Sequence, residues 1–355
     1  MSRDVLTKIL DLARWAPSGD NTQPWRFEIV ADDHIAVHGF DTREHVIYDF
    51  DGHPSQMAHG ALIETLRITA SGFQLKSEWG LRAGSPDNAP VYDIFLKRSP
   101  DLLPDPLLPY IEKRVVQRRP MRLTPLTAEQ RNSLLLAPGA KYTVQFFEKT
   151  IDRIRVARLL WDNAHIRLTC PEAFIVHRKI IEWGVRFSKD RIPEGAVGVD
   201  PVTAKLMKWV MGEWERVLFF NRYLMGTIVP RIQLDMLPAL FCGAHVMIRP
   251  VRPPVSLNDW VELGVAMQRL WLTASQHGLH LQPEMTPVIF RWYVQSDRQF
   301  SKHEALFSRA LKLANDFEHL VGATRQESFG FFGRVGNSSH PLSRSVRQDL
   351  DFLLR

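Results

Sequence analysis

Apolar residues near the start of the chain recur at helical spacing, with Val5, Leu6, Ile9, Leu10, Ala13 and Ala16 forming one face. Pro17-Ser18-Gly19 breaks that pattern, and the alternation Phe27-Glu28-Ile29-Val30 then predicts a strand. Residues 35–37 read as its hairpin partner, 61–71 as a buried helix and 91–96 as a further strand. The proline-rich stretch 99–109 reads as a linker. Beyond it, 108–116 and 127–136 are expected as helices, 142–147 as a strand and 151–164 as a helix. That order resembles the first part of the chain.

A later helix, 264–275, sharpens the comparison. Gly60, Leu66, Thr69, Ala70 and Ser71 meet Gly264, Leu270, Thr273, Ala274 and Ser275 at one constant offset of 204 residues (264 − 60). At 355 residues the chain exceeds a domain of roughly 100–200, so two related halves are expected, 1–105 and 106–355. Between the matching stretches lies an insertion, 171–245, rich in aromatics, with Met207, Val210, Met211, Trp214, Val217 and Leu218 on one stripe. A helical subdomain packed on the core, a substrate lid and a membrane-surface helix all fit that stripe.

Composition narrows the class without choosing a function. With 45% hydrophobic and 24% charged residues the chain reads as a compact globular protein. The opening Met1-Ser2-Arg3-Asp4 leads into the amphipathic pattern without a signal-like apolar stretch, so a cytoplasmic protein is expected. The longest apolar run, 234–248, is interrupted by Asp235 and Pro238 and falls short of the roughly 20 residues that span a bilayer, so no transmembrane segment is expected. Cys170 and Cys242 form neither a disulfide framework nor a metal pair and are expected as inert core thiols. The net charge of +6 admits nucleic acid, an anionic membrane or a phosphorylated ligand. The densest basic cluster, Lys113-Arg114, Arg118-Arg119 and Arg122, suits a compact phosphate rather than a duplex, so nucleic acid is not an expected partner.

The stretch richest in candidate chemistry is Ala13-Arg14-Trp15-Ala16-Pro17-Ser18-Gly19-Asp20-Asn21-Thr22-Gln23-Pro24-Trp25. Ser18 and Asn21 offer donors and acceptors, Gly19 permits close backbone approach, and Pro24-Trp25 stiffens the exit. A polar planar ligand and a purely structural loop are both compatible with it. Ala-Pro-Ser-Gly-x-Asn-x-Gln-Pro-Trp followed by a strand resembles the flavin-contacting loop of the nitroreductase superfamily. In that superfamily two chains pair, and each FMN lies between such a loop and an arginine-rich segment of the other chain. Arg118-Arg119-Pro120-Met121-Arg122, before Pro125-Leu126-Thr127, resembles that second segment, with Pro120 where the family has a small polar residue. Gly278-Leu279-His280-Leu281-Gln282-Pro283-Glu284 resembles the family turn whose amides lie near flavin N5, and Phe331-Phe332-Gly333-Arg334-Val335-Gly336 resembles a strand whose arginine reaches the phosphate. Arg344-Ser345-Val346-Arg347 continues in the same style.

The resemblance implies an α+β nitroreductase-like fold: two related half-domains, each with a mainly antiparallel sheet flanked by helices, plus the helical insertion. It also implies one FMN held by Arg14, Ser18, Gly19, Asn21 and Gln23 from the first half and by Arg118, Arg119, Arg122, Gln282, Pro283, Glu284 and Arg334 from the second. The duplicate of the loop, Ala137-Pro138-Gly139-Ala140-Lys141-Tyr142, lacks the Asn and the Gln-Pro-Trp, and the first half starts at its helix without an arginine segment, so a single site is expected. The implied activity is hydride transfer from NAD(P)H through FMN to a small-molecule acceptor, in an internal pseudo-dimer that leaves room for a further homodimer; no catalytic side chain is singled out. A flavin-sequestering protein with a lid and an accessory role in cofactor biosynthesis stand as alternatives.

Other motifs are poorer. His34 and His38 lie in an expected strand without an acidic third ligand, so no metal is expected. His59, His277 and His280 flank the matching helices and suit either proton donors or helix-end residues. No dinucleotide-binding glycine fingerprint, phosphate-binding loop, serine elbow or cysteine nucleophile signature occurs.

Overall fold

Residues 2–355 are described by a computed structural model. Helix α1 (Arg3–Ala13) buries Leu6, Ile9, Leu10 and Ala13, the face its spacing predicts. It leads into β1 (Trp25–Ala31) and β2 (His34–Gly39), then α2 (His53–Ser71), β3 (Leu75–Leu81) and β4 (Val91–Arg98). These strands form an antiparallel sheet in the order β1-β2-β4-β3.

The second part repeats this connectivity with two additions, one between its first two strands and a helix pair between its last two. Helix α3 (Ala128–Leu136) starts on a capping box between Thr127 and Gln130 and precedes β5 (Tyr142–Phe147). Where β1 and β2 are joined by a tight turn, β5 is followed by α4 (Thr150–Thr169) and α5 (Pro171–Ile180). Short strands β6 (Ile181–Glu182), β7 (Phe187–Ser188) and β8 (Ile192–Pro193) come next, then α6 (Pro201–Val210), α7 (Trp214–Tyr223), α8 (Ile228–Arg231) and α9 (Leu237–Leu240). The chain returns through β9 (Ala244–Pro250), α10 (Leu257–Gln276), β10 (His280–Pro283), α11 (Thr286–Gln295), α12 (Glu304–Val321) and β11 (Phe331–Gly336). It ends in β12 (Arg344–Ser345) and α13 (Leu350–Leu353). The second sheet is also antiparallel and, read from its first strand, runs β5-β9-β11-β10, the same order as the first. The expected α+β class with two such sheets and a helical insertion is what the chain adopts.

Helices α2 and α10 cross at the centre, and glycine sets their separation. A Cβ on Gly60 would lie 1.9 Å from the Val261 carbonyl oxygen, and one on Gly264 would lie 2.0 Å from that of Met57. The polar contacts are reciprocal in the same way: Arg269 Nη1 donates to Glu64 Oε1 at 2.8 Å, and Gln268 Nε2 donates to Thr65 Oγ1 at 2.9 Å. Each contact of one helix thus recurs with roles exchanged. Buried Glu64 also takes a bidentate pair from Arg67, which holds Asp105 as well, so this charge does not stand alone in the core. Val261 packs into the first-half core, while Met57 and Ala61 pack into the second. The C-terminal end returns to the first sheet, where Leu353 joins its core and the Arg355 amide donates to Phe27.

Three local readings need correction. Residues 108–116 are not a helix: only Leu108–Tyr110 makes a 3-10 turn, and Val116 bridges to Leu281 as an extended strap. Pro109 and the β-branched pair Val115-Val116 favour that outcome. Helix α2 starts at His53, eight residues ahead of the expected Ala61 (61 − 53), because polar Ser55, Gln56 and His59 are buried and hide its apolar face. The chain also forms β3, an edge strand outside the expected elements, whose alternate positions Lys76 and Glu78 face solvent. No helix among the described residues is long and apolar enough to cross a membrane.

Candidate functional site

The loop after α1 is held in an uncommon conformation by its own amides. Asp20, Asn21 and Gln23 have φ of 50°, 64° and 48°, a left-handed region that disfavours side-chain-bearing residues. Ser18 Oγ accepts from the Gln23 amide at 2.9 Å. Asn21 Nδ2 donates to the carbonyls of Lys189 (3.1 Å) and Val346 (3.2 Å), while Gln23 Nε2 donates to Lys189 (2.8 Å). Gln23 Oε1 accepts from the Gln348 amide at 2.9 Å. Asn21 and Gln23, expected to touch a ligand, instead clamp this loop to the insertion and to the C-terminal tail.

Above the loop lies a cavity of about 690 Å³, within the usual range for small-ligand sites. Ser18, Gly19 and Asp20 line one side; Arg118, Gln282, Pro283, Glu284 and Arg334 line another, with Trp271 of α10 nearby. Residues from both parts of the chain therefore line it. Nothing lies within 4 Å of where a Gly19 Cβ would sit, so a ligand can approach that backbone. Four arginines behave differently from the rest of the expected set or only in part. Arg14 is tied to Asp11 (2.7 Å) and to the Gln348 carbonyl (2.9 Å), away from the cavity. Arg119 and Arg122 are exposed, the former reaching no closer than 3.4 Å to the Gly195 carbonyl. Arg334 lines the cavity but is engaged: Nη1 donates to Glu284 Oε1 (2.7 Å) and Nη2 to the Arg118 carbonyl (2.7 Å).

Glu284 joins two cations. Its second oxygen is 2.8 Å from His245 Nδ1, whose ring is fully buried and stacked on Phe332. Burial opposes charge on His245, but Cys242 and the Glu284 carboxylate outweigh it and push the imidazole up to about 10. Burial likewise opposes a charged Glu284, and His245 and Arg334 outweigh it, so the carboxyl is depressed. The triad pins β9, β10 and β11 together beside the cavity and fixes the strap that carries Arg118. Arg118 has less compensation. Burial lowers its guanidinium to about 10, opposed by Asp20, and its one hydrogen bond runs from Nη1 to the Ala196 carbonyl at 3.1 Å. Burial in turn raises the Asp20 carboxyl, with Arg118 opposing. Buried Gln282 Oε1 and Arg334 Nε have no partner among the described residues. Together these groups suit an anionic, hydrogen-bonding ligand.

The deeper wall was missed from the sequence. Tyr48 Oη and His177 Nε2 share a hydrogen bond at 2.9 Å, Arg167 pairs with Asp235 at 2.6 Å, and Asn163 donates to Thr286 Oγ1 at 2.8 Å; all of these residues line the cavity. Burial, reinforced by Arg167, lowers His177 to about 3, so it is neutral at neutral pH. Asp235, an acid inside the longest apolar run, was the only local signal for this cluster. The histidines singled out instead lie elsewhere: His59 is buried between Tyr92 Oη (3.0 Å) and the Pro24 carbonyl (2.8 Å), while His277 and His280 do not line the cavity. His34 and His38 pair with Asp93 and Glu28 on the first sheet. Trp209 is exposed and Trp214 packs on Phe174, so the insertion wall is made by Met207, Val210, Met211, Val217 and Phe220.

Residues 1–103, which hold the clamped loop, match the sequence model of the Nitroreductase family. An uncharacterized protein, MT1398, of Mycobacterium tuberculosis (strain CDC 1551 / Oshkosh) is 24% identical over 324 residues, covering 86% of this chain and 42% of that protein. The chain therefore spans less than half the length of the curated relative it matches. Among solved structures, the FMN-dependent nitroreductase NfnB of Mycobacterium smegmatis in complex with NADPH is 14% identical, covering 69% of this chain and 95% of the other, with a TM-score of 0.38. A nitroreductase-like family protein of Bacillus cereus is 11% identical over 70% of this chain and 94% of its own, with a TM-score of 0.36.

Proposed function

We propose that the chain is an FMN-dependent oxidoreductase that takes hydride from NAD(P)H and delivers it to a small acceptor, with one FMN in the central cavity. The observation that carries this reading is the convergence of the Ser18-Gly19 backbone with Arg118 and Gln282 on a cavity that keeps buried polar atoms without partners. Bound FMN would supply the two-electron chemistry. Arg118 would bind its phosphate, since its charge is the least compensated of the arginines lining the cavity. Gln282 would face a hydrogen-bonding edge of the ring. The Glu284 amide is already bonded to the Phe332 carbonyl at 2.8 Å, so it is not the donor for reduced-ring charge that the family turn suggests. That role passes to the N-terminus of α11, where Met285 and Thr286 line the cavity and no side chain caps the helix. Arg334, held between Glu284 and the strap, acts as a positioning residue.

The reciprocal α2–α10 contacts and the repeated strand order support a fused pair of related halves, an internal pseudo-dimer; a cytoplasmic location belongs to the same proposal. Sequestration of flavin without turnover is the second reading, favoured by the apolar wall that the insertion presents to the cavity. Anaerobic absorbance of the chain with FMN, before and after NADH or NADPH, tests both. Bound flavin that bleaches supports the oxidoreductase, bound flavin that stays oxidised supports sequestration, and an absence of binding defeats both.

A further inference from the structure

The flavin-facing residues account for only part of the cavity. Its remaining wall comes from the insertion, where Leu206, Met207, Val210, Met211, Val217 and Phe220 offer no hydrogen bond to a flavin ring or phosphate. This wall opens outward. Val202, Leu224 and Met225 line the cavity and are nevertheless 77%, 55% and 68% exposed, so they form an apolar mouth. Exposed apolar rims around a concave site mark binding surfaces, because leaving them in water is unfavourable. At the inner end the chemistry changes. Tyr48, Asn163, Arg167, His177 and Asp235 cluster there, and Asn163 Oδ1, Arg167 Nε and Asp235 Oδ2 are buried without partners. One unpaired donor and two unpaired acceptors beside a neutral Tyr–His pair call for a head that both donates and accepts hydrogen bonds. Since Arg167 and Asp235 already neutralise one another, the head need carry no charge.

We propose that this half of the cavity binds a neutral amphiphile: a hydroxylated head seated at Tyr48, Arg167 and Asp235, and a single long hydrocarbon chain running along α6 and α7 to the mouth. The inference goes beyond the flavin reading and does not depend on it.

Titration calorimetry on the full chain, with dodecylresorcinol below its aggregation range and methylresorcinol as the tail-less probe, tests it. The long-chain compound should bind at least about tenfold tighter, as burial of only a few methylenes would give. Leu206→Glu and Met225→Glu, at partly exposed positions, should weaken the long-chain compound about fivefold or more and leave methylresorcinol unchanged. Val255→Glu, 89% exposed and away from the cavity, should alter neither. Tyr48→Phe should weaken both compounds. Equal affinity for the two probes overturns the proposal, as does an equal loss in Val255→Glu or a Tyr48→Phe variant that binds both compounds as wild type does. Flavin content read from absorbance in the same samples separates this outcome from the flavin reading, because either site can fail alone.

Discussion

Single side chains at this site carry unequal burdens, and pH and substitution should separate them. His245 has its folded basicity raised to about 10 from an ordinary 6.5, so its stabilising contribution is complete below about 6.5 and is lost as pH climbs through 10. Glu284 is shifted the other way, so its contribution is present above its ordinary 4.5 and is lost as pH falls further below that value. Urea midpoints at about pH 7 and about pH 10 should therefore drop more in wild type than in His245→Gln, which keeps a polar side chain without the charge. Parallel losses in the two proteins would mean that the imidazole is not charged in the fold. Arg118 should behave as a ligand group rather than a structural one. Arg118→Ala is expected to weaken FMN binding about tenfold or more, with a stability change of under about 1 kcal/mol because a single carbonyl bond is lost. Arg118→Lys should recover only part of the affinity, since an ammonium cannot reproduce the planar fork. Unchanged FMN affinity in Arg118→Ala would remove it from the site.

At the scale of elements, the crossing of α2 and α10 makes the sharpest demand. A methyl on Gly60 or Gly264 would fall about 2 Å from a backbone oxygen that has no rotamer to escape into. Gly60→Ala and Gly264→Ala should each destabilise the protein by about 3 kcal/mol in denaturant melts, the upper part of the range for overpacking. Combined, they should cost clearly less than the sum, because one separation of the helices relieves both clashes. Strict additivity would show that the two contacts yield independently. The likeness of the two glycine-led helices was legible in the sequence through their constant offset, as were α1, the β1–β2 hairpin and the helix from about Thr127, each written in local periodicity or punctuation; that the two helices cross was not. Strand β3 carries only a diluted signal, because Ser77 and Gly80 interrupt the alternation in which Leu75, Trp79 and Leu81 pack on the first core. The extended strap around Val116 is not a helix because it pairs with Leu281, a contact 165 residues away (281 − 116), to which Pro109 and Val115-Val116 are the only local pointers. For the site, Ser18, Gly19, Arg118, Gln282 and Arg334 came from motifs. Asn163 and Arg167 stand one turn apart on α4, but Tyr48, His177 and Asp235 come from other elements and join them only through the fold.

For the molecule as a whole, two sheets of identical strand order around one reciprocal helix crossing raise the question of how many flavin sites the chain holds. A symmetric pair would present two equivalent sites, one for each loop that follows a first helix. The loops have diverged. The first is clamped by the amides of Asn21 and Gln23 against residues 189 and 346–348, and it lines the cavity through Ser18, Gly19 and Asp20. Its counterpart after α3 is the turn Pro138-Gly139-Ala140-Lys141, which carries no side-chain amide, is exposed through Gly139 to Lys141 and contributes nothing to the cavity. The insertion enlarges the difference, because it replaces the turn between the first two strands of the second sheet and faces only the first loop. One flavin per chain is therefore expected when protein saturated with FMN is freed of excess and denatured, and the released flavin is set against protein concentration. Asn21→Ala should lower that ratio by loosening the clamp even though Asn21 lies outside the cavity. A ratio near two would mean that the degenerate half still binds, and it would remove the asymmetry on which the single-site reading rests.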